Sequence, residues 1–244
     1  MALKTSSPPR PRGARLRRLH RGLALAVALS VGMSTLSGVL HVVMTWTQAP
    51  PPPARPAAPL AAEAVRISLA DALAAGGVGD ATPVGASLRT IDGRPWWQIL
   101  LAGREAPVYV DAASGAADPG ADERFAAEIA SAFLGGAPVR KAGFLTAFDA
   151  EYIAIFRLLP VYRMEADDGR GTRLYVSTLT GSVARHTDDW LQLEADVFSN
   201  LHKLAFIPDK GVRDVVLAAF TTGIFVAAAA GVGLALRSWR RGGA

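Results

Sequence analysis

The chain has 244 residues, half of them apolar, with 26 Lys and Arg against 21 Asp and Glu, four histidines and no cysteine. The missing cysteine excludes a disulfide framework, thiolate metal sites and cysteine catalysis. All the acidic residues and sixteen of the basic ones lie between residues 23 and 236, a balance of −5 there. The basicity therefore belongs to the two ends, and a nucleic-acid partner is not expected.

Residues 1–22 read as a basic cytoplasmic tail, rich in Pro, Arg and Ser over its first fifteen positions and expected to be disordered there. A transmembrane helix follows at 23–46, where Leu23 to Trp46 is 24 residues without a charge. That exceeds the roughly 20 residues needed to cross the hydrocarbon core. The run is also longer than a signal-peptide core and has no small-x-small cleavage site, so an uncleaved anchor is expected. Residues 47–63 form a Pro-rich linker that reads as extended.

A first repeat occupies 64–118. It begins with a helix over Ser68–Ala75, started by a Ser68/Asp71 capping box. Strands are expected at Ala86–Ile91, Trp96–Ala102 and Pro107–Asp111, with a turn at Gly103-Arg104. Trp96 and Trp97 point to opposite faces of their strand, one inward and one outward. A second repeat occupies 119–187. Its helix, Glu123–Leu134, is stopped by Gly135-Gly136, and strands are expected at Tyr152–Leu158, Val161–Ala166 and Arg173–Ser177. Asp167-Asp168-Gly169-Arg170-Gly171 reads as a hairpin turn. The repeat is visible in residues: Tyr109-Val110-Asp111-Ala112-Ala113-Ser114-Gly115 answers Tyr175-Val176-Ser177-Thr178-Leu179-Thr180-Gly181. Each is a strand end closing on glycine.

Residues 188–211 carry an interfacial amphipathic helix, with Trp190, Leu193, Val197, Leu201 and Leu204 on one face and Asp189, Gln192, Asp196 and Lys203 facing away. A second transmembrane helix lies at 212–236, where Val215 to Leu236 is a charge-free run of 22 residues. A cytoplasmic tail, 237–244, follows. Arginines flank the outer sides of both spans and acids do not, so the positive-inside rule puts both termini in the cytoplasm and the main domain outside. The expected fold is α+β, with two transmembrane helices bracketing an exported domain.

The Tyr175-Val176-Ser177-x-x-Thr180-Gly181-x-Val183 strand and turn resembles the core of a PepSY domain. Its position between two spans resembles the PepSY-associated transmembrane proteins of bacteria. Arg18-Leu19-His20-Arg21-Gly22 is similar to the family's opening of the first span, though without its tryptophan. Leu36-Ser37-Gly38-Val39-Leu40 is similar to the end of that span, and Asn200-Leu201-His202-Lys203 to the element before the next one. The resemblance implies two PepSY-like helix-plus-antiparallel-strand repeats and the bacterial inner (cytoplasmic) membrane, with the domain periplasmic. Soluble members imply regulation of peptidases. Larger, multi-span relatives imply iron uptake, with ferric siderophores reduced through heme held by span histidines.

Ionisable groups inside a span are functional candidates, and His41 lies about 8 Å inside the outer end of the first one. His202 lies on the same side of the membrane, so His41 and His202 are the candidate ligands of a heme b. The alternative for His41 is a hydrogen bond to Thr221 or Thr222 of the other span. His20 reads as an interfacial residue at the cytoplasmic edge and His186 as exposed. No nucleophile elbow, His-Glu-x-x-His or phosphate-loop motif is present, and no catalytic residue or metal site is assigned. Two functions stay open: an envelope binding or regulatory module that engages another membrane protein or a second copy, and a heme-carrying electron-transfer component linked to iron uptake.

Overall fold

The computed structural model describes residues 12–47, 59–60, 62–77 and 81–242; the expected disorder of the first eleven residues and most of the expected linker lie outside them. The chain divides into two compact units, one made of residues 1–48 and 193–244 and the other of residues 49–192.

The first unit is built on two long helices, α1 (Arg12–Thr47) and α5 (Lys210–Gly242). Both are long and apolar enough to cross a membrane, and only 11% of each apolar window is buried within the protein. Leu25 and Leu29 on α1 and Phe225 on α5 stand exposed, which a core helix of a water-soluble fold would not tolerate on this scale. The helices run antiparallel. Gly223 meets Val27, Gly231 meets His20, and Gly233 meets Leu16. Gly223, Ala227 and Gly231 make a stripe of small residues that lets the backbones approach. A Cβ at Gly223 would sit 2.8 Å from Val27 Cγ1. Gly223→Leu is therefore expected to cost about 1–3 kcal/mol of helix-pair stability. It should lower the thermal midpoint in detergent, with partial recovery in the Val27→Ala background. An unchanged midpoint would mean the pairing does not depend on this approach.

Both helices continue past their apolar runs. Residues 12–22, expected as tail and over 12–15 as disordered, are the first three turns of α1. His20 packs against the other helix: its Nδ1 lies 2.8 Å from the Ala227 carbonyl oxygen, in the space that Gly231 leaves open.

The second unit is layered. Helix α2 (Leu69–Ala75) starts on the expected capping box, with both the Ser68 and Asp71 side chains engaged. An antiparallel meander of β1 (Pro83–Ile91), β2 (Arg94–Leu101) and β3 (Val108–Asp111) follows. Helix α3 (Ala121–Phe133) comes next, then a second antiparallel sheet in the order β4 (Val139–Leu145), β5 (Val161–Ala166), β6 (Arg173–Ser177) and β7 (Ser182–Thr187). Helix followed by a three-stranded meander thus occurs twice, and the matched segments at Tyr109 and Tyr175 hold the same place, the third strand of each.

Period-2 alternation decides the layers. Ile99, Leu101 and Val110 pack with Ala72 of α2 on one face of the first sheet. Ile91, Trp96 and Tyr109 pack with Ala121 and Phe125 of α3 on the other. The opposite side of α3, with Ala126 and Ala130, packs on Tyr162, Met164, Leu174 and Val176 of the second sheet. α3 is therefore the central layer, shared by both sheets. Trp97, for which an outward position was open, is half-buried under Ile67 and donates its Nε1–H to that residue's carbonyl at 3.2 Å.

Two expectations about strands fail. Residues 152–158 are not a strand. The Asp149 carboxylate accepts the Glu151 and Tyr152 amides at 2.8 and 2.5 Å, and Arg157 takes a left-handed φ of 64°. Together they fold the segment into a turn whose Tyr152, Phe156 and Leu158 cover the far face of the second sheet. The first strand of the second repeat is instead β4, and β7 extends that sheet beyond the expected end at Gly181. His186, expected exposed, lies on β7 with its ring centroid 5.4 Å from that of Phe133. Burial lowers its pKa below the usual 6.5.

Helix α4 (Asp189–Lys203) joins the two units in the chain. It is capped by Asp188, whose carboxylate accepts the Leu191 amide at 2.8 Å.

Candidate functional site

The two histidines singled out by sequence do come together, in the first unit. His41 on α1 places Nδ1 2.5 Å from the Glu194 carboxylate on α4. The Ser37 hydroxyl, one turn earlier on α1, donates to the Ser34 carbonyl at 2.9 Å. It lies 3.3 Å from His202 Nδ1, so the imidazole is the donor in that pair. Phe198 contacts both rings, at 6.0 Å between centroids for His41 and stacked at 4.7 Å for His202. Glu194, Phe198 and His202 recur every four residues and present one face of α4 to α1. That face is rotated about one residue from the stripe expected to be apolar. Leu193 of the expected stripe is exposed instead.

Neither Thr221 nor Thr222 is the partner of His41. In the antiparallel register that sets Gly223 against Val27, those threonines lie about 20 Å of helix away from it. Glu194 escaped sequence reasoning because its partner lies 153 residues earlier, and only the α4–α1 packing reveals the pair.

A bis-histidine heme requires two imidazoles facing one iron with a flat, unobstructed slot between them. Here one phenyl ring of the chain contacts both imidazoles. A carboxylate on Nδ1 is a good outer partner for a ligating histidine, yet the pair as arranged does not fit a heme. Among the described residues no cluster of three or more His, Cys, Asp or Glu could hold a metal.

The second unit buries a polar network that sequence reasoning missed. The Asp122 carboxylate, almost fully buried on α3, accepts the Tyr109 hydroxyl at 2.8 Å and the Tyr162 hydroxyl at 3.0 Å. It therefore ties the third strand of one sheet to the second strand of the other. Gln98 Nε2 donates to Tyr109 Oη at 2.5 Å and to the Thr178 carbonyl at 2.9 Å. Arg89 donates Nε to Gln98 Oε1 at 2.8 Å and Nη2 to the Leu179 carbonyl at 2.7 Å. The strand-end turn of the second repeat is thus read by side chains of the first. Burial, and then the charge of Asp122, push Tyr109 and Tyr162 above the ordinary phenol range. These phenols are locked hydrogen-bond donors rather than bases.

A groove of about 730 Å³ opens alongside. Gly76 at the end of α2, the β2–β3 loop from Gly103 to Pro107, Asp118 and Phe144 of β4 form its walls, so both repeats contribute. Arg124 holds Asp118 below the usual carboxylate range through a hydrogen bond at the rim. Arg104 and Glu105 are exposed on the loop.

Comparison of the chain with protein-family models, with curated proteins and with solved structures finds no match.

Proposed function

We propose that the chain is a two-span membrane protein whose tandem helix-and-meander domain is a binding or regulatory module. It would be held outside the cytoplasm by α1 and α5 and engage a segment of another envelope protein. The groove carries this reading. Its size suits a short peptide segment, its walls come from both repeats, and Tyr109, which lines it, belongs to the Asp122–Tyr109–Tyr162 network that ties the two sheets together. The buried polar groups joined to Tyr109 are committed to structure, which favours recognition over turnover. The PepSY resemblance points the same way. The heme-based alternative rests on that resemblance alone, since the His41–Phe198–His202 arrangement gives it no support.

The cysteine-free sequence makes the test direct. Asp167→Cys should react with a membrane-impermeant maleimide on intact cells, and Ser238→Cys only after permeabilisation. A photoreactive side chain at Glu105 should then give a discrete adduct that Phe144→Ala reduces at least several-fold, while the same group at Asp167 gives none. Equal adducts at both positions would remove the groove from the account. Labelling of both cysteines on intact cells would remove the topology.

A further inference from the structure

The ends of α1 and α5 beyond the apolar runs carry a charge arrangement that the topology alone does not require. The antiparallel pairing puts the start of α1 beside the end of α5, with Leu16 against Gly233 and His20 against Gly231. About 16 Å of α1 precedes its apolar run and about 9 Å of α5 follows its own, so the arginines there ride on rigid helix rather than loose tail. Arg15, Arg17, Arg18, Arg21, Arg237 and Arg240 are all exposed. No acidic residue occurs in 12–22 or 237–242. None of the six takes part in an ion pair among the described residues.

Position around each helix sharpens the pattern. Arg17 and Arg21 are one turn apart, and each follows a residue packed in the seam, Leu16 or His20. Arg237 and Arg240 lie four and seven residues past Gly233 and continue its stripe. Guanidinium groups from both helices therefore flank one seam. In the register that sets Leu16 against Gly233, Arg17 and Arg237 lie about 6–8 Å apart along the helix axis, within reach of one phosphate. Arg21 and Arg240 stand further along the seam on either side. Like charges gathered on one seam repel one another, the more so near a low-dielectric membrane. Trp239, 83% exposed within the same stretch, is an aromatic of the kind that settles at headgroup depth.

We propose that this seam binds the phosphate headgroup of an anionic phospholipid, clamped by guanidinium groups from both helices. The inference rests on the two-span reading. Arginine presents paired donors that match two phosphate oxygens, whereas lysine offers a single charge. The apolar runs directly continuous with the patch supply the surface for the acyl chains, which a free phosphate would not use.

The full-length protein, purified in detergent with equal phosphatidylglycerol and phosphatidylcholine, tests this by native mass spectrometry. Retained lipid should favour phosphatidylglycerol several-fold, and the preference should fall as salt rises. It should reach parity in Arg17→Gln/Arg21→Gln/Arg237→Gln/Arg240→Gln, checked for unchanged helix content. The corresponding four Arg→Lys replacements should keep part of it. Parity in the unaltered protein would overturn the proposal. So would displacement of the lipid by millimolar inorganic phosphate, which would mark a free-anion site. Failure of the two-span reading shows separately, as release of the chain from cell membranes by alkaline carbonate.

Discussion

Asp122→Ala is expected to destabilise the two-sheet domain by about 3–4 kcal/mol, a large share of the stability of a domain this size. The carboxylate is 3% exposed and accepts two phenol hydroxyls, one from each sheet. Removing it leaves two buried donors without an acceptor, at about 1–3 kcal/mol each. The small cavity left behind adds to that loss. Each tyrosine alone is worth less. Tyr109→Phe and Tyr162→Phe leave the carboxylate one remaining donor, so each should cost about 1–2 kcal/mol. The double Tyr→Phe variant should cost more than the sum, because it strands a buried charge. Urea unfolding followed by near-UV circular dichroism reads all four variants. Asp122→Ala within about 0.5 kcal/mol of the unaltered protein would show that the sheets do not depend on this bridge.

The same residue shows what the sequence discloses and what it hides. Elements set by local rules were legible. The Ser68/Asp71 box started α2, Gly135-Gly136 stopped α3 with positive φ at both glycines, and β5 and β6 fall on their expected bounds. The Tyr109/Tyr175 repeat was legible because a strand end closing on glycine leaves a fixed pattern in the residues. What failed was set by tertiary context. Residues 152–158 have a strand-like composition, yet Asp149 and the left-handed Arg157 fold them into a cover for the second sheet. β4 was overlooked because its Arg140 and Lys141 face solvent at a sheet edge and break the apolar signal. Asp92-Gly93, with φ of 52° and 70°, is the hairpin turn between β1 and β2, and it carried a usable signal in its Asp-Gly pair.

The candidate site divides along the same line. That His41 and His202 belong to one neighbourhood followed from topology alone. What lies between them did not, because Phe198 and Glu194 reach α1 only through the rotation of α4 about its axis. Asp122 was invisible for a further reason. It sits in the first turn of α3, where an acidic residue is expected simply as a partner for the helix dipole. Only the second sheet, closing over α3 from the other side, turns that residue into a bridge.

Raising the pH above 10 should weaken this domain progressively until it unfolds cooperatively at about pH 11 or above. Tyr109, Tyr162 and Tyr175 are all pushed above the ordinary phenol value of 10.0, first by burial and then by the neighbouring carboxylates Asp122 and Glu151. Tyr152, the remaining tyrosine of the chain, is raised by burial as well. The sign follows from which state ionises first. Below pH 10 the tyrosines are neutral in both the folded and unfolded chain, and their full contribution is present. Above it the unfolded chain loses protons that the folded chain still holds, so stability falls as pH rises toward the folded values. At pH 11 the loss is on the order of 1 kcal/mol for each strongly raised tyrosine, or a few kcal/mol for the three. Tyrosinate absorbance near 295 nm should therefore stay low past pH 10 and then rise in one step that coincides with the loss of near-UV ellipticity. Tyr162→Phe should shift that step in two opposing ways. It removes one titrating group, which flattens the pH dependence, and one buried hydrogen bond, which lowers the starting stability. A gradual rise centred at pH 10 with ellipticity intact would mean that the phenols titrate in the folded protein, and that the Asp122 network is open to water.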